Sequence, residues 1–395
     1  MVYDEVKLSE LASYISRGIT PSYTELDGVC VINQKCIRNG TLSLAEARMH
    51  NESKKKISND KIVQLMDILV NSTGTGTLGR VAQVTSKIRA TVDSHVTIVR
   101  PSKEVNPLFL GYAVKWRKPY IEALAEGSTG QTELSRFRLG DEITIPLPSL
   151  AVQKGIAETL YAIDCKIETN NKINDNLQQQ AQNLFAEHFY LHNADSIPDG
   201  WSLISLGDVA VISNKSFNPL KQPETMIEHY SIPAFDETRY PVFELSTAIK
   251  SNKFIVDADC FMISKLNPTT KRVWRPYCMT DNAVCSTEFI VYKAKNRILT
   301  DFLYSLIDSL PFSDFMCSHV TGSTGSRQRT IPSDTLQYQF YLPTAEEIAA
   351  FSAVVAPMYA QIRINAMENA RLKDLRDSLL PRLMSGEIEV SDVDI

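Results

Sequence analysis

His188 and His192 lie four residues apart, a spacing that puts two imidazoles on one helix face where they could share a zinc ion. The stretch reads His188-Phe189-Tyr190-Leu191-His192, without the glutamate that a metalloprotease helix places after its first histidine. Cys317 and His319 have no second pair of ligands nearby. Gly74, Gly76 and Gly79 spell G-x-G-x-x-G after the apolar run Asp67-Ile68-Leu69-Val70, as in a dinucleotide-binding turn. That turn must open a helix, and Val81-Ala82-Gln83-Val84 reads as a strand instead. Neither G-x-S-x-G nor G-x-x-x-x-G-K-S/T occurs. The Asn-Pro pairs at Asn106, Asn218 and Asn267 continue with Leu108, Leu220 and Thr269. They lack the Asn/Asp-Pro-Pro-aromatic form with which amino-methyltransferases hold a flipped base. No catalytic constellation assembles, so the chain reads as non-catalytic, with no metal and no cofactor of its own.

What the chain has instead is a repeat. Gly127-Ser128-Thr129-Gly130 is followed by Arg136 and Arg138, by the apolar alternation Ile143, Ile145, Leu147, and by Pro148. Gly322-Ser323-Thr324-Gly325 is followed by Arg327 and Arg329, by Tyr338, Phe340, Leu342, and by Pro343. One constant offset carries Gly127 to Gly322, Pro148 to Pro343, Asn174 to Asn369 and Leu177 to Leu372. A repeat of nearly half the chain means two similar modules. The match extends to polar loops after short apolar strands, Asn71 to Arg80 and Ser264 to Arg272. It includes the strands Ser94–Arg100 and Ser286–Tyr292, and amphipathic helices expected over 107–126 and 299–318.

A long helical run follows each repeat. Ile156, Leu160, Ile163, Ile167, Asn170, Asn174 and Leu177 step by alternate fours and threes, an a/d seam. Phe351, Val355, Met358, Ile362, Asn365, Asn369 and Leu372 do the same. Asparagine in a seam costs stability but fixes register, and the pairs Asn170/Asn365 and Asn174/Asn369 occupy matched positions. Two ordinary amphipathic helices in separate cores would also show apolar stripes. A seam sustained over this length points to helices that pair with each other. Thr344-Ala345-Glu346-Glu347 is a capping box, and Pro357 inside the second run is expected to kink or split it.

The fold class is therefore α+β. Two mixed α/β modules, residues 1–149 and 196–343, are expected to be separated by two long helices forming an antiparallel coiled coil with an internal pseudo-twofold. The helical parts are 150–195 and 344–395. At 395 residues two or three units are expected, and no apolar run approaches a membrane span. Seven cysteines with no Cys-x-x-Cys pair, and no secretory signal at the start, suit reduced thiols and a cytoplasmic setting. Net charge is -5, yet residues 1–150 hold 19 Lys and Arg against 16 Asp and Glu. Most of the acidic excess sits on the helices, so a local basic face for phosphate remains open.

In layout the whole chain resembles the specificity subunits of Type I restriction-modification systems. The resemblance is carried by Asp374-Leu375-Arg376-Asp377-Ser378-Leu379-Leu380-Pro381-Arg382-Leu383-Met384-Ser385-Gly386 in the distal helix. It is carried also by Pro146-Leu147-Pro148 continuing to Gln153, Ile156, Ile163 and Asp164, and by Ile197-Pro198-Asp199-Gly200-Trp201 opening the second module. The first module lacks that Pro-x-Gly-Trp opening. The resemblance implies two target-recognition domains, each reading half of a split double-stranded DNA sequence. The helices would space them and dock two methyltransferase subunits, which bind S-adenosylmethionine and methylate adenine, with restriction subunits in some systems. On that footing the expected DNA contacts are Thr75, Arg80, Gln131, Arg136 and Arg138 in the first module. In the second they are Lys265, Lys271, Arg272, Arg327, Gln328 and Arg329. The other readings are a stand-alone DNA-binding regulator with no methyltransferase partner, and a coiled-coil scaffold that binds proteins only.

Overall fold

The computed structural model describes residues 3–127, 132–190, 197–322 and 328–393. Two compact units divide the chain: Met1–Cys165 with Leu372–Ile395, and Lys166–Arg371. The division cuts both long helices, so each unit holds one globular module and a segment of each helix. These units do not follow the boundaries expected at 149, 195 and 343.

In the first unit, Asp4–Lys7 pairs antiparallel with Thr144–Leu147, closing the module on itself. A single helical turn, Leu8–Leu11, leads into the strand Ala12–Arg17. That strand opens an antiparallel sheet ordered Ala12–Arg17, Val96–Pro101, Ile68–Asn71, Val81–Gln83. Ile68–Asn71 is buried along its whole length, which is why it reads as an unbroken apolar run. A second sheet joins Ala90–Val92, Val29–Ile32, Arg48–His50 and Tyr23–Thr24, its first pair parallel. Ile32, Leu69, Ala82, Val92, Val96 and Ile98 form the core shared by these sheets.

The second unit repeats the plan. Ser202–Ser205 pairs with Gln339–Leu342, and a turn at Leu206–Val209 precedes the strand Ala210–Ile212. The four-stranded sheet runs Ala210–Ile212, Phe289–Ala294, Cys260–Ser264, Val273–Trp274, the same order as in the first unit. A five-stranded sheet carries one parallel step, between Met226–Tyr230 and Ala283–Ser286.

The helices expected over 107–126 and 299–318 are each broken in two. They form Pro107–Trp116 with Lys118–Ala123, and Thr300–Ile307 with Leu310–Ser318. Pro119 and Pro311 are the cause: each lacks an amide hydrogen and is tolerated only in a first turn, so a new helix starts around it. The loop through Arg136 and Arg138 is partly helical, Arg136–Glu142, with Ser135 accepting from the Phe137 amide as its cap.

The long helices are Leu150–Phe189 and Ala345–Ser385; 40 residues make the first about 60 Å long. The capping box is formed. Thr344 Oγ1 accepts from the Glu347 amide, and Glu347 Oε2 accepts from the Thr344 amide and hydroxyl and from Trp201 Nε1. The expected split at Pro357 does not occur; the helix is continuous through it. Phe351, Val355 and Tyr359 are buried on both sides of the proline, and their burial outweighs one missing backbone bond.

Within the second unit the helix segments run antiparallel, and asparagines set their register. Asn365 Nδ2 donates to Asn174 Oδ1 at 2.8 Å; Asn170 Nδ2 donates to Asn369 Oδ1 at 2.9 Å and to Glu368 Oε2 at 2.7 Å. Val355 is buried, and Ile167, Leu177, Met358 and Ile362 are half-buried along the same face. Within the first unit, Ile156, Leu160 and Ile163 are buried and Leu372 half-buried. There Asp164 accepts from Arg376 Nη1 at 2.7 Å and from the Tyr112 hydroxyl at 2.6 Å. Among the described residues no helix is long and apolar enough to cross a membrane.

Candidate nucleic-acid interface

In each unit the loop leaving the buried third strand of the four-stranded sheet is stitched to the segment just past the repeated glycines. In the first, the Gly74 amide donates to Thr132 O at 3.1 Å, the Leu134 amide donates to Ser72 O at 2.8 Å, and Thr73 bridges Glu133. In the second, the Asn267 amide donates to Gln328 O at 2.9 Å, the Thr330 amide to Lys265 O at 3.1 Å, and Leu266 bridges Arg329. Gly74 and Asn267 occupy the same turn with φ of 93° and 48°, a left-handed backbone that glycine and asparagine tolerate best. These pairings match Glu133 to Arg329 and Thr132 to Gln328, one position off the offset that relates Pro148 to Pro343. The ungapped repeat expected from sequence therefore slips by one residue here.

The two segments make one polar edge per module. Thr75 is exposed on the first edge. Arg80 turns back on its own loop, Nη2 to Gly76 O at 2.8 Å. Arg136 is exposed, its guanidinium 4.8 Å from the Phe137 ring, which is itself 66% exposed. Arg138 is committed inward: it bonds Glu142, Glu126 and the Leu124 carbonyl. Gln131 and Arg327 lie outside the described residues.

On the second edge Lys265 is half-buried and joined through its backbone. Lys271 donates to Asp308, Arg272 grips Asp236 with Nε and Nη2, and Arg329 reaches Glu288 at 3.0 and 3.2 Å. Glu288 holds the Arg329 guanidinium above its usual pKa. Gln328 is half-buried.

Sequence reasoning missed the cations that reach the first edge from elsewhere in the chain. Arg17, at the end of the strand Ala12–Arg17, pairs with Glu133 and donates to Leu134 O at 2.6 Å. Lys61 donates to Ser16 Oγ at 2.6 Å. Burial lowers the Lys61 pKa; the Asp60 carboxylate opposes that shift and the Arg136 charge adds to it. These residues line an open groove of about 390 Å³ with Ser135 and Phe137. No local signal could have found Arg17 or Lys61, since each depends on contacts far along the chain. The arrangement presents hydrogen-bonding side chains and cations on a rigid edge. Among the described residues no group that could hold a metal ion is present.

Residues 3–179 match the family model described as Type I restriction modification DNA specificity domain. Over 313 residues the chain is 26% identical to the Type I restriction enzyme MjaIX specificity subunit of Methanocaldococcus jannaschii, covering 72% of this chain and 69% of that protein. It is 23% identical over 341 residues to the HindI specificity subunit of Haemophilus influenzae, covering 68% and 74%. The crystal structure of a Type-I restriction-modification system S subunit from M. genitalium aligns over 97% of this chain and 96% of that one, with a TM-score of 0.55 at 18% identity. That likeness is one of fold.

Proposed function

We propose that this chain is a specificity subunit of a Type I restriction-modification system, a reading supported by its likeness to that family, and that each of its two modules reads one half of a split DNA target through its stitched edge. The chain is the non-catalytic, sequence-specific DNA-binding subunit of such a complex. It directs adenine methylation by its partners, and cleavage where a restriction subunit joins. The finer reading is two methyltransferase subunits per chain, each carrying S-adenosylmethionine and serving one half-site, in the cytoplasm where the chromosome lies.

The observation that supports DNA reading best is the same construction in both modules. A loop from a buried strand is fixed by backbone bonds to a second loop, which gives two rigid polar edges on one chain. Phosphate contacts from arginine and lysine set position, while base-edge contacts in the major groove set sequence. Arg136 and Phe137 suit the first edge, because both are exposed and already ordered against each other. Both edges are tested by binding of the assembled complex to its target.

Arg136→Ala is expected to weaken binding of the complex to target and non-target duplex by a similar factor of about 10. It should also reduce the slope of log affinity against log salt by about 1. Salt titration of duplex binding checks it, and an unchanged slope would remove Arg136 from the interface. Copurification tests the partner assignment, since a tagged chain should bring down a methyltransferase. A stand-alone regulator would come down by itself.

A further inference from the structure

Lys271 sits at the end of the second module's recognition loop and turns away from its tip. Its ammonium donates to the Asp308 carbonyl at 2.7 Å and to Asp308 Oδ1 at 2.8 Å. Asp308 Oδ2 accepts from Gln178 Nε2 on the first long helix. Asp308 is 4% exposed and lies in the break between Thr300–Ile307 and Leu310–Ser318. Arg272 is withdrawn in the same manner, gripping Asp236 at 2.6 and 2.9 Å and returning Nη1 to Thr270 O at 3.3 Å. In the first module Arg80 likewise bonds the carbonyl of Gly76 in its own loop. Thr269 and Thr270 are left exposed at the second tip.

We infer that Lys271 and Asp308 form a positioning pair that fixes the second module's recognition loop against the first long helix, so that the tip at Thr269 and Thr270, and not the loop's cations, meets the DNA. This rests on the DNA-reading role proposed above. The physical reason is the cost of separation. A carboxylate this deep is tolerated because an ammonium and an amide occupy its oxygens, and removing one partner leaves a buried charge uncompensated. Two of the three N–H donors of the Lys271 ammonium are taken by Asp308, so a phosphate would have to compete with that carboxylate for it. Its loss is felt through the loop's geometry, where a displacement of about 1 Å is enough to cost on the order of 100-fold.

The test uses the full chain with its methyltransferase subunits, on duplexes carrying the split motif that is methylated in cells, and on duplexes with one half-site altered. Lys271→Met and Asp308→Asn are each expected to cut methylation of the intact motif by about 10- to 100-fold. Discrimination should be lost at the second half-site only, the double variant should be no worse than the poorer single, and the salt slope should stay at the wild-type value. A slope lower by about 1 for Lys271→Met, with Asp308→Asn unaffected, would make Lys271 a phosphate contact and overturn the inference. Should either variant fail to fold, Thr269→Ala with Thr270→Ala decides. These exposed positions must alter second-half-site discrimination in a protein of unchanged stability, and unchanged discrimination overturns the inference. A wild-type complex that shows no preference for the motif would instead refute the DNA-reading role itself.

Discussion

Phe185→Ala is expected to lower the stability of the second unit by ~3–5 kcal/mol. Phe185 projects from the first long helix and is 2% exposed. Its ring centroid lies 5.4 Å from Phe302 of the globular module and 5.8 Å from Phe351 of the second long helix, with Phe189 at 5.3 Å. One side chain thus joins three elements, and truncation removes both its buried area and its aromatic contacts. Those neighbours are themselves ring-packed, Phe189 against Phe302 and Phe351 at 5.1 and 5.2 Å, so the site cannot collapse to fill the space. Denaturant unfolding followed by ring fluorescence should show the transition of this unit moved to lower denaturant. A loss below about 1 kcal/mol would mean that the helix end is not docked as described.

The second large effect concerns register. Asn174→Leu is expected to cost ~1–3 kcal/mol, because Asn365 Nδ2 loses its acceptor while Asn365 stays 4% exposed. Adding Asn365→Leu should recover that loss or exceed it, since leucine at both seam positions replaces a polar contact by apolar packing. The recovered protein should still be a poorer specificity subunit. Within the second unit, Asn170 with Asn369 and Glu368, Asn171 with Asn369, and Lys166 with Glu368 would remain to define which turn faces which, without the Asn174–Asn365 contact. Methylation of the split motif by the assembled complex is therefore expected to fall while the fold is retained. The pair is checked by urea unfolding of both single variants and the double, alongside methylation assays. A double variant less stable than either single would show that the asparagines do not act on each other.

Much of this was legible in the chain. The heptad seam and the matched asparagines are periodic signals, and the capping box at Thr344 is a local one that forms where the spacing put it. The continuation of the Gly74–Gly79 loop into a strand followed from Val81, Ala82 and Val84. The breaks before Pro119 and Pro311 were not legible because the apolar periodicity runs on across both prolines. At Pro357 the same residue type left the helix whole, because buried neighbours on both sides hold it.

The interface was less legible for a physical reason. An exposed arginine and one spent on an ion pair look alike in sequence. Arg272 and Arg329 each have carboxylate partners that chain order does not announce, with Asp236 lying 36 residues from Arg272 and Glu288 lying 41 from Arg329. Arg17 and Lys61 reach the first edge for the converse reason, through pairing of distant segments.

The most direct measurement is adenine methylation across the genome in cells with and without this gene. The account predicts that one split motif, with a methylated adenine in each half, is present with the gene and vanishes on its deletion. An unchanged methylome in cells that make the chain and its methyltransferase partner would contradict it.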